Sequence, residues 1–241
     1  MVTKDLGFVM KRHNFRETSI IASFYTKKFG KITGILKGFY TFKKEFSSSL
    51  DLFTLNELIF YPKKSDIWLV SFADLVRDYD FLRKNINAAT AASVFINLTD
   101  RALGPWDKNP EVFNLIKEAL SFLQKENVRK VLYVFLVKFL TLSGFKPEFG
   151  KCLLCHKPIS EETFFSVLRG GLICKKCSSN DHDLKKISRE AIASIFYIQN
   201  NDFIVALRLK PTEECEKEVM FILREFLCYH LEFDVFGERL Q

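Results

Sequence analysis

Two pairs of cysteines constrain the fold more than any other feature of this sequence. Cys152 and Cys155 are separated by two residues, as are Cys174 and Cys177, and eighteen residues lie between the pairs. This spacing is typical of four-cysteine zinc sites, because each CxxC turn directs two sulfurs towards one ion and two turns complete a tetrahedron. We therefore expect these four cysteines to bind one Zn²⁺ per chain.

The same cysteines favour a structural metal over a catalytic one. A hydrolytic zinc keeps one position open for water and usually has a histidine or carboxylate ligand, whereas four thiolates fill the shell. His156 follows Cys155 directly and could replace a sulfur, but the four-cysteine set is complete without it. The sequence also contains no HExxH, GxxxxGK[ST], GxGxxG or GxSxG motif. The prediction is a closed zinc module in a protein that is not an enzyme.

Positive charge is concentrated near the N-terminus. The chain of 241 residues has a formal net charge of +7, and residues 1–50 contain ten lysines and arginines against three acidic residues. The remaining 191 residues carry 26 charges of each sign. This asymmetry indicates a polyanionic partner for the first fifth of the chain, either nucleic acid or an anionic membrane surface, with a merely soluble basic surface as the alternative.

The first 78 residues have the texture of short strands and turns. Segments rich in β-branched and aromatic residues alternate with polar or Gly/Pro-containing stretches, and five strands are too few for a sandwich. The pattern predicts a small closed barrel of the OB type, in which Gly30, Gly34 and Gly38 permit bends and close backbone approach. The five predicted strands are residues 7–11, 18–25, 31–37, 50–61 and 67–75.

Aromatic residues are interleaved with the cations of this barrel. Residues 37–44 combine a glycine, three aromatic residues and three lysines. On an OB barrel, bases stack on aromatic rings while lysines and arginines follow the phosphates. Because the chain has 26 phenylalanines and uses them in its core, we expect about half of the nearby rings to be buried. Phe39 and Tyr40 are the rings that we expect to be exposed for stacking.

From about residue 79 the pattern becomes helical. The predicted organisation is multidomain α+β: an OB-fold domain (1–78), a helical domain in two parts (79–148 and 181–241) and a zinc-binding module between them (149–180). The longest apolar run, VLYVFLVKFLTL, has twelve residues and includes Lys138, so it predicts a core helix rather than a membrane span. Nothing at the N-terminus resembles a signal peptide, and we expect a cytoplasmic protein with no membrane partner. The predicted helices are residues 88–103, 109–125, 128–143, 188–199 and 212–231, with Asn109 and Ser188 as N-caps and Pro110 at the first position of its helix.

The order of these features resembles the RecO family of bacterial recombination-mediator and DNA-repair proteins. The resemblance lies in the opening GFVMKRHNFRETSII, the segment FGKITGILKG, the cysteine module from GFKPEFGKCLLC to FFSVLRGGLICKKC, and a last helix ending near FLCYHLE. It covers nearly the full length. It implies an OB domain, a helical domain that carries the zinc module, and no catalytic turnover.

The resemblance also implies partners and contact residues. A RecO-like protein binds single- and double-stranded DNA and anneals complementary strands. With a RecR partner, it helps to load RecA onto strands coated by single-strand-binding protein. Such a protein is cytoplasmic and associated with the nucleoid. In this sequence, Phe39 to Phe42 separate Gly38 from the next lysines, whereas the family often has basic residues directly after that glycine. The implied metal ligands are the four paired cysteines, and the implied DNA contacts are Arg12, Arg16, Lys27, Lys31, Lys37, Lys43 and Lys44.

Two other classes of function compete with this interpretation. A zinc-dependent enzyme acting on nucleic acid would need an open ligand position at the metal. A basic adaptor would share the charged N-terminal segment, but it should bind liposomes or structured RNA better than bare DNA strands.

Overall fold

The first five strands of the chain close into a barrel. In this computed structural model, which describes residues 2–41, 46–62, 66–159, 162–180, 183–232 and 234, the strands follow the order β1-β2-β3-β5-β4, and β4 pairs back with β1. Strands β3 and β5 are parallel, and the other neighbours are antiparallel. The predicted OB-type barrel is therefore confirmed. The strands are β1 (Thr3–Phe15), β2 (Ser19–Thr26), β3 (Gly30–Leu36), β4 (Leu55–Tyr61) and β5 (Ile67–Arg77).

Strand β1 is longer than predicted because it serves two neighbours. Its first half pairs with β4, and from Gly7 onward it pairs with β2. The register shifts between Val9 and Lys11, and such a bulge bends a strand sharply enough to continue around a small barrel. The exposed polar run after the bulge gives no alternating pattern, so the sequence showed only the apolar centre of this strand.

Strand β4 begins five residues later than predicted. Leu50 and Phe53 have positive φ angles of 51° and 72°, which a strand does not accommodate. The backbone N–H of Phe53 donates to the Val9 carbonyl, and the N–H of Val9 donates to the Thr54 carbonyl. Residues 50–54 therefore form a bend held against β1 before the strand starts at Leu55.

The barrel interior is filled by aliphatic and aromatic side chains. Strand β3 alternates buried and half-buried residues over its whole length, as a strand with one face in the core should. Gly34 lies where a Cβ atom would come 2.4 Å from Val70 Cγ2, so β3 and β5 pack closely at this position. The core cluster consists of Val9, Ile20, Ala22, Phe24, Ile32, Leu36, Phe46, Leu50, Leu58, Phe60, Trp68, Val70 and Ala73.

Two helices complete the first compact unit, Met1–Gln124. Helix α1 (Ile86–Ala102) follows a short 3₁₀ turn, and helix α2 (Pro110–Phe122) begins as predicted, with Asn109 as its N-cap and proline at the first helical position. Phe113 of α2 packs on Phe8, with ring centroids 5.0 Å apart. The aromatic contact ties α2 to the barrel.

The second compact unit, Lys125–Gln241, is helical with one small sheet. Ser188 caps its helix as predicted, and Thr212 is found to cap the last helix; each side chain accepts a hydrogen bond from the backbone N–H three residues later. Across the described residues, no helix is both long and apolar enough to span a membrane. The helices are α3 (Val128–Leu142), α4 (Arg189–Asn200), α5 (Phe203–Ala206) and α6 (Glu213–Leu231).

The small antiparallel sheet was not predicted. Its strands β6 (Thr163–Ser166), β7 (Gly171–Cys174) and β8 (Leu184–Ile187) have only four residues each, too few to show alternation. Strand β6 lies in the centre, between β7 and β8. The domain boundaries proposed after residues 78, 148 and 180 stay predictions.

Candidate metal centre and nucleic-acid interface

The four paired cysteines converge on one point. Their sulfur atoms all lie within 4.8 Å of one another, and Cys155 Sγ is 3.8 Å from Cys174 Sγ. Sulfurs held at about 2.3 Å from one ion at the corners of a tetrahedron lie about 3.8 Å apart. The donor set and its spacing therefore fit a tetrahedral metal ion with thiolate ligands.

Backbone hydrogen bonds shape both CxxC turns. In the first, the N–H of His156 donates to the Cys152 carbonyl at 2.9 Å, and His156 itself has a positive φ of 58°. In the second, the N–H of Cys177 donates to the Cys174 carbonyl at 2.9 Å. The left-handed conformation at His156 closes the first turn, and among the described residues the converging donor atoms are the four sulfurs, without the His156 ring.

The small sheet brings the two turns together. Cys174 is the last residue of β7, and the N–H of Leu153 donates to the Leu172 carbonyl of the same strand at 2.9 Å. A Cβ atom on Gly171 would come 2.9 Å from a Leu153 methyl group and 3.0 Å from the Glu148 carbonyl. The glycine thus permits the close approach of the first turn to β7.

The electrostatics of the cluster suit a cation. Burial opposes ionisation of the Cys152 thiol, but N–H groups of Cys155, Cys174 and Leu154 point at its sulfur and lower its pKa to about 6. Hydrogen bonding to Cys174, with burial and contacts to the other two sulfurs, raises the pKa of Cys177 to about 12, because crowded sulfurs disfavour a further negative charge. A divalent ion neutralises that charge, so the residues present fit zinc.

Two lysines, Lys175 beside Cys174 and Lys186 on β8, share one acidic partner. Glu162 accepts from Lys186 at 2.7 Å and from Lys175 at 3.0 Å. These two lysines lower the pKa of Glu162 to about 2, so the carboxylate stays charged at neutral pH.

At one end of the barrel, three predicted DNA contacts lie on neighbouring loops. The β3–β4 loop folds back onto the β1–β2 turn, because the N–H of Tyr40 donates to the Thr18 carbonyl at 3.2 Å and its hydroxyl donates to Asn14 Oδ1 at 2.6 Å. Tyr40 is 49% exposed, and Arg16 and Lys37 are exposed on the same two loops. We call Asn14, Arg16, Lys37 and Tyr40 the hairpin-end patch.

Phe39 is placed differently from its neighbour. It is half-buried, packs against the barrel core, and its ring centroid lies 5.5 Å from that of Phe46. It also meets the Tyr40 ring edge-on, with centroids 5.2 Å apart. Phe39 thus supports the exposed ring of Tyr40 from below, whereas the sequence suggested two exposed rings. Lys43 and Lys44 lie outside the described residues.

The remaining predicted cations do not join this patch. Lys31 is bound by Asp100 of α1, whose carboxylate also accepts from Lys11 at 2.5 Å. Arg12 donates to the Ser49 carbonyl and lies 3.8 Å from Asp51. Lys27 is exposed in the β2–β3 turn, at the opposite end of β2 from Arg16. The ion pair with Asp100 was not predictable from the sequence, because Asp100 is 69 residues from Lys31.

The architecture and the two sites define a class. A five-stranded OB barrel with a basic, aromatic-bearing end, followed by a helical part with a four-cysteine centre, is typical of nucleic-acid-binding proteins of the OB-fold type. The family models described as "Recombination protein O N terminal" and "Recombination protein O C terminal" match residues 1–79 and 83–236. The chain belongs to the RecO family, which is the family predicted from its sequence.

Curated relatives agree with this assignment. The protein named "DNA repair protein RecO" from Alkaliphilus metalliredigens is 25% identical over 234 residues, covering 96% of this chain and 95% of the relative. The protein of the same name from Caldicellulosiruptor bescii is 31% identical, covering 89% of this chain and 85% of the relative. The one from Syntrophus aciditrophicus is 29% identical, covering 72% of this chain and 69% of the relative. The chain therefore has a role in DNA repair and recombination that includes DNA binding, as predicted.

Proposed function

We propose that this protein is a recombination mediator that binds single- and double-stranded DNA through the barrel and anneals complementary strands. The observation that carries the proposal is the hairpin-end patch, where two cations and an exposed ring share one surface. Arg16, Lys37, Lys43 and Lys44 contact phosphates, and Tyr40 stacks on a base. Arg12 and Lys27 are flanking contacts.

The annealing activity follows from ordinary electrostatics. Each phosphate neutralised by a lysine or arginine releases condensed counterions, so binding does not depend on base sequence and weakens with salt. Two strands held on one basic surface have a high effective concentration and a reduced mutual repulsion. Pairing then proceeds without any covalent step, and the protein needs no catalytic group.

We further propose that the protein acts with RecR and single-strand-binding protein to load a recombinase. The family role in recombination supports this proposal, because a strand coated by single-strand-binding protein must be handed to the recombinase. The test is loading on coated strands with and without each partner. A rate of loading that is unaffected by this protein would overturn the proposal.

In the second compact unit, Cys152, Cys155, Cys174 and Cys177 would hold one structural Zn²⁺. Four sulfur donors leave no open position at a tetrahedral ion, which supports a structural role rather than hydrolysis. When bound, the ion would cross-link two short turns that are too small to fold alone. The chain's own residues shape these turns through the backbone bonds at His156 and Cys177.

An annealing assay tests the DNA proposal with matched charge changes. The test variant is Arg16→Glu with Lys37→Glu, and the control is Lys84→Glu with Lys117→Glu, two exposed lysines outside the barrel strands. Both variants change net charge by the same amount. We expect annealing of complementary oligonucleotides to slow strongly in the test variant alone. Equal slowing in both variants would show that only net charge matters and would remove the hairpin-end patch from the proposal.

A further inference from the structure

Another exposed ring lies at the opposite end of β2 from the hairpin-end patch, in the loop between α1 and α2. Trp106 is 41% exposed, and its backbone has a positive φ of 65°. For a bulky side chain this conformation is an outlier, and such outliers persist only where the surrounding structure holds them. The conformation presents the indole to solvent, so its origin bears on function.

The loop is fixed against the start of β3. The N–H of Trp106 donates to the Lys31 carbonyl at 3.2 Å, and Pro105 forms a bridge with the backbone of Lys31. A Cβ atom on Gly30 would come 2.3 Å from the Asp107 carbonyl oxygen, so the two backbones are in close contact. Trp106 is therefore held in place before any ligand arrives.

One side of the indole is occupied by another ring. Trp106 lies on Trp68, with ring centroids 4.4 Å apart and planes inclined by 33°. Trp68 is buried and continues inward to Phe60 and Phe29, at 5.2 and 5.8 Å. The exposed area of Trp106 is thus the outer surface of a rigid aromatic stack.

The charges around this ring favour a polyanion. Lys27 and Lys28 are exposed in the β2–β3 turn that leads into Gly30, and Lys108 is exposed two residues after Trp106. Asp107 is the acidic residue of the same loop. The Asp100 carboxylate is shared by Lys31 and Lys11, and Asp5 accepts from the backbone N–H of Lys28. The surface carries more positive than negative charge beside a preorganised ring.

We propose that Trp106 is a base-stacking site for single-stranded DNA. The inference rests on the proposed function, because it adds a second contact to the same barrel. A ring with one buried and one open side, flanked by lysines, has the composition of single-strand binding platforms. A duplex does not offer such a site an unstacked base.

The position of Trp106 suggests the path of the strand. The backbone of Tyr40 is hydrogen-bonded to Thr18, just before β2, and the backbone of Trp106 is hydrogen-bonded to Lys31, which pairs with Tyr25 near the other end of β2. The two rings therefore lie at opposite ends of this strand. Eight residues of strand span about 26 Å. One strand that follows β2 and β3 would meet a ring at each end, within the site size of about 4–16 nucleotides for OB folds.

Tryptophan fluorescence tests this directly, because the chain has two tryptophans and Trp68 is buried. The full-length protein is titrated with a 16-nucleotide thymidine strand and with an abasic strand of equal length, and anisotropy of labelled strands reports total binding. We expect the thymidine strand, but not the abasic strand, to quench emission. The Trp106→Phe variant, in which only Trp68 emits, should lose most of that quenching.

Affinity supplies an independent measurement. Trp106→Ala should weaken binding of the thymidine strand between about fivefold and about 150-fold, the range for one stacked base, while binding of a 16-base-pair duplex changes by less than twofold. Tyr229→Ala, which removes an exposed ring outside the barrel, is the matched control.

The outcomes separate this inference from the proposed function. If anisotropy shows binding but wild-type emission and the Trp106→Ala affinity do not change, Trp106 only covers the barrel and the inference is overturned. If no binding of single strands is measured, the proposed function and the inference fall together. The wild-type quenching measurement decides the matter even where Trp106→Ala does not fold.

Discussion

Replacement of Asp100 by asparagine tests how the barrel is fastened to α1. The Asp100 carboxylate accepts from Lys11 at 2.5 Å and from Lys31 at 3.2 Å, and Lys31 also donates to the Asp100 carbonyl at 2.7 Å. The side chains of Lys31 and Asp100 are only 19% and 18% exposed, whereas Lys11 is 61% exposed. Asparagine has almost the same shape, so the substitution removes charge without opening a cavity.

The magnitude follows from this burial. Removing one partner of a fully buried ion pair costs about 3–5 kcal/mol, and an exposed pair contributes about 0–1 kcal/mol. The Lys31 pair is partly solvated and keeps its carbonyl acceptor, while the Lys11 pair is largely screened. We therefore expect Asp100→Asn to lower the free energy of unfolding by about 2 kcal/mol at pH 7. The companion Lys31→Met with Asp100→Leu should recover much of this loss, because no charge stays buried alone.

The pH dependence supplies the second half of this test. Burial alone would raise the Asp100 pKa, but the hydrogen bond from Lys11 and the charge of Lys31 lower it below 3.8. A carboxylate whose folded pKa is depressed stabilises the fold above its unfolded pKa and loses that stabilisation as pH falls. The advantage of wild type over Asp100→Asn should thus be constant from pH 6 to 8 and shrink below about pH 4.

Urea unfolding at a series of pH values measures both quantities. A difference under about 0.5 kcal/mol at pH 7, or one that is unchanged at pH 3, would refute the argument that this ion pair is a stabilising contact. The single variant Lys31→Met should also have a lower free energy of unfolding than wild type, while its affinity for DNA stays nearly unchanged.

Three further predictions concern the metal centre and the barrel core. Cys174→Ser should lose bound zinc by elemental analysis and melt at a lower temperature, whereas Cys228→Ser, which changes a thiol outside the cluster, should keep its zinc. His156→Gly should retain its full zinc content, and its free energy of unfolding should rise by up to about 1 kcal/mol because glycine adopts a positive φ without strain. Loss of zinc from this variant would instead indicate that His156 is a ligand. Gly34→Ala should cost about 1–3 kcal/mol in urea unfolding because its methyl group meets Val70, and Val70→Ala in the same chain should restore part of it; equal stability of Gly34→Ala and wild type would contradict the close packing of β3 on β5.

Features that depend on neighbouring residues were predictable from the sequence. The CxxC spacing located the sulfur cluster, because a two-residue spacer fixes the geometry of each turn by itself. Asn109 and Ser188 were identified as helix caps, since a cap bonds to the backbone two or three residues away. The count of short strands was enough to indicate the closed OB barrel, although not the long, bulged β1.

Features that depend on distant residues were not predictable. Asp100 holds Lys31 across 69 residues, and no local pattern marks that pairing. Phe39 was expected at the surface with Tyr40, but only the folded loop shows that it rests on Phe46. No sequence pattern marked Trp106 as a surface ring, because its positive φ angle and its contact with Trp68 arise only in the folded chain. A single sequence constrains registers and long-range pairs weakly, and the proposed binding surface of this barrel depends on such pairs.

The salt dependence of single-strand affinity tests the central claim most directly. The logarithm of the binding constant for single strands falls with the logarithm of salt concentration at a slope of about −0.7 per neutralised phosphate. If Arg16 and Lys37 each neutralise one phosphate, the Arg16→Ala, Lys37→Ala variant should have a slope shallower by about 1.4, whereas Lys84→Ala, Lys117→Ala should match wild type. Identical slopes in all three proteins would show that the hairpin-end patch does not bind the DNA backbone.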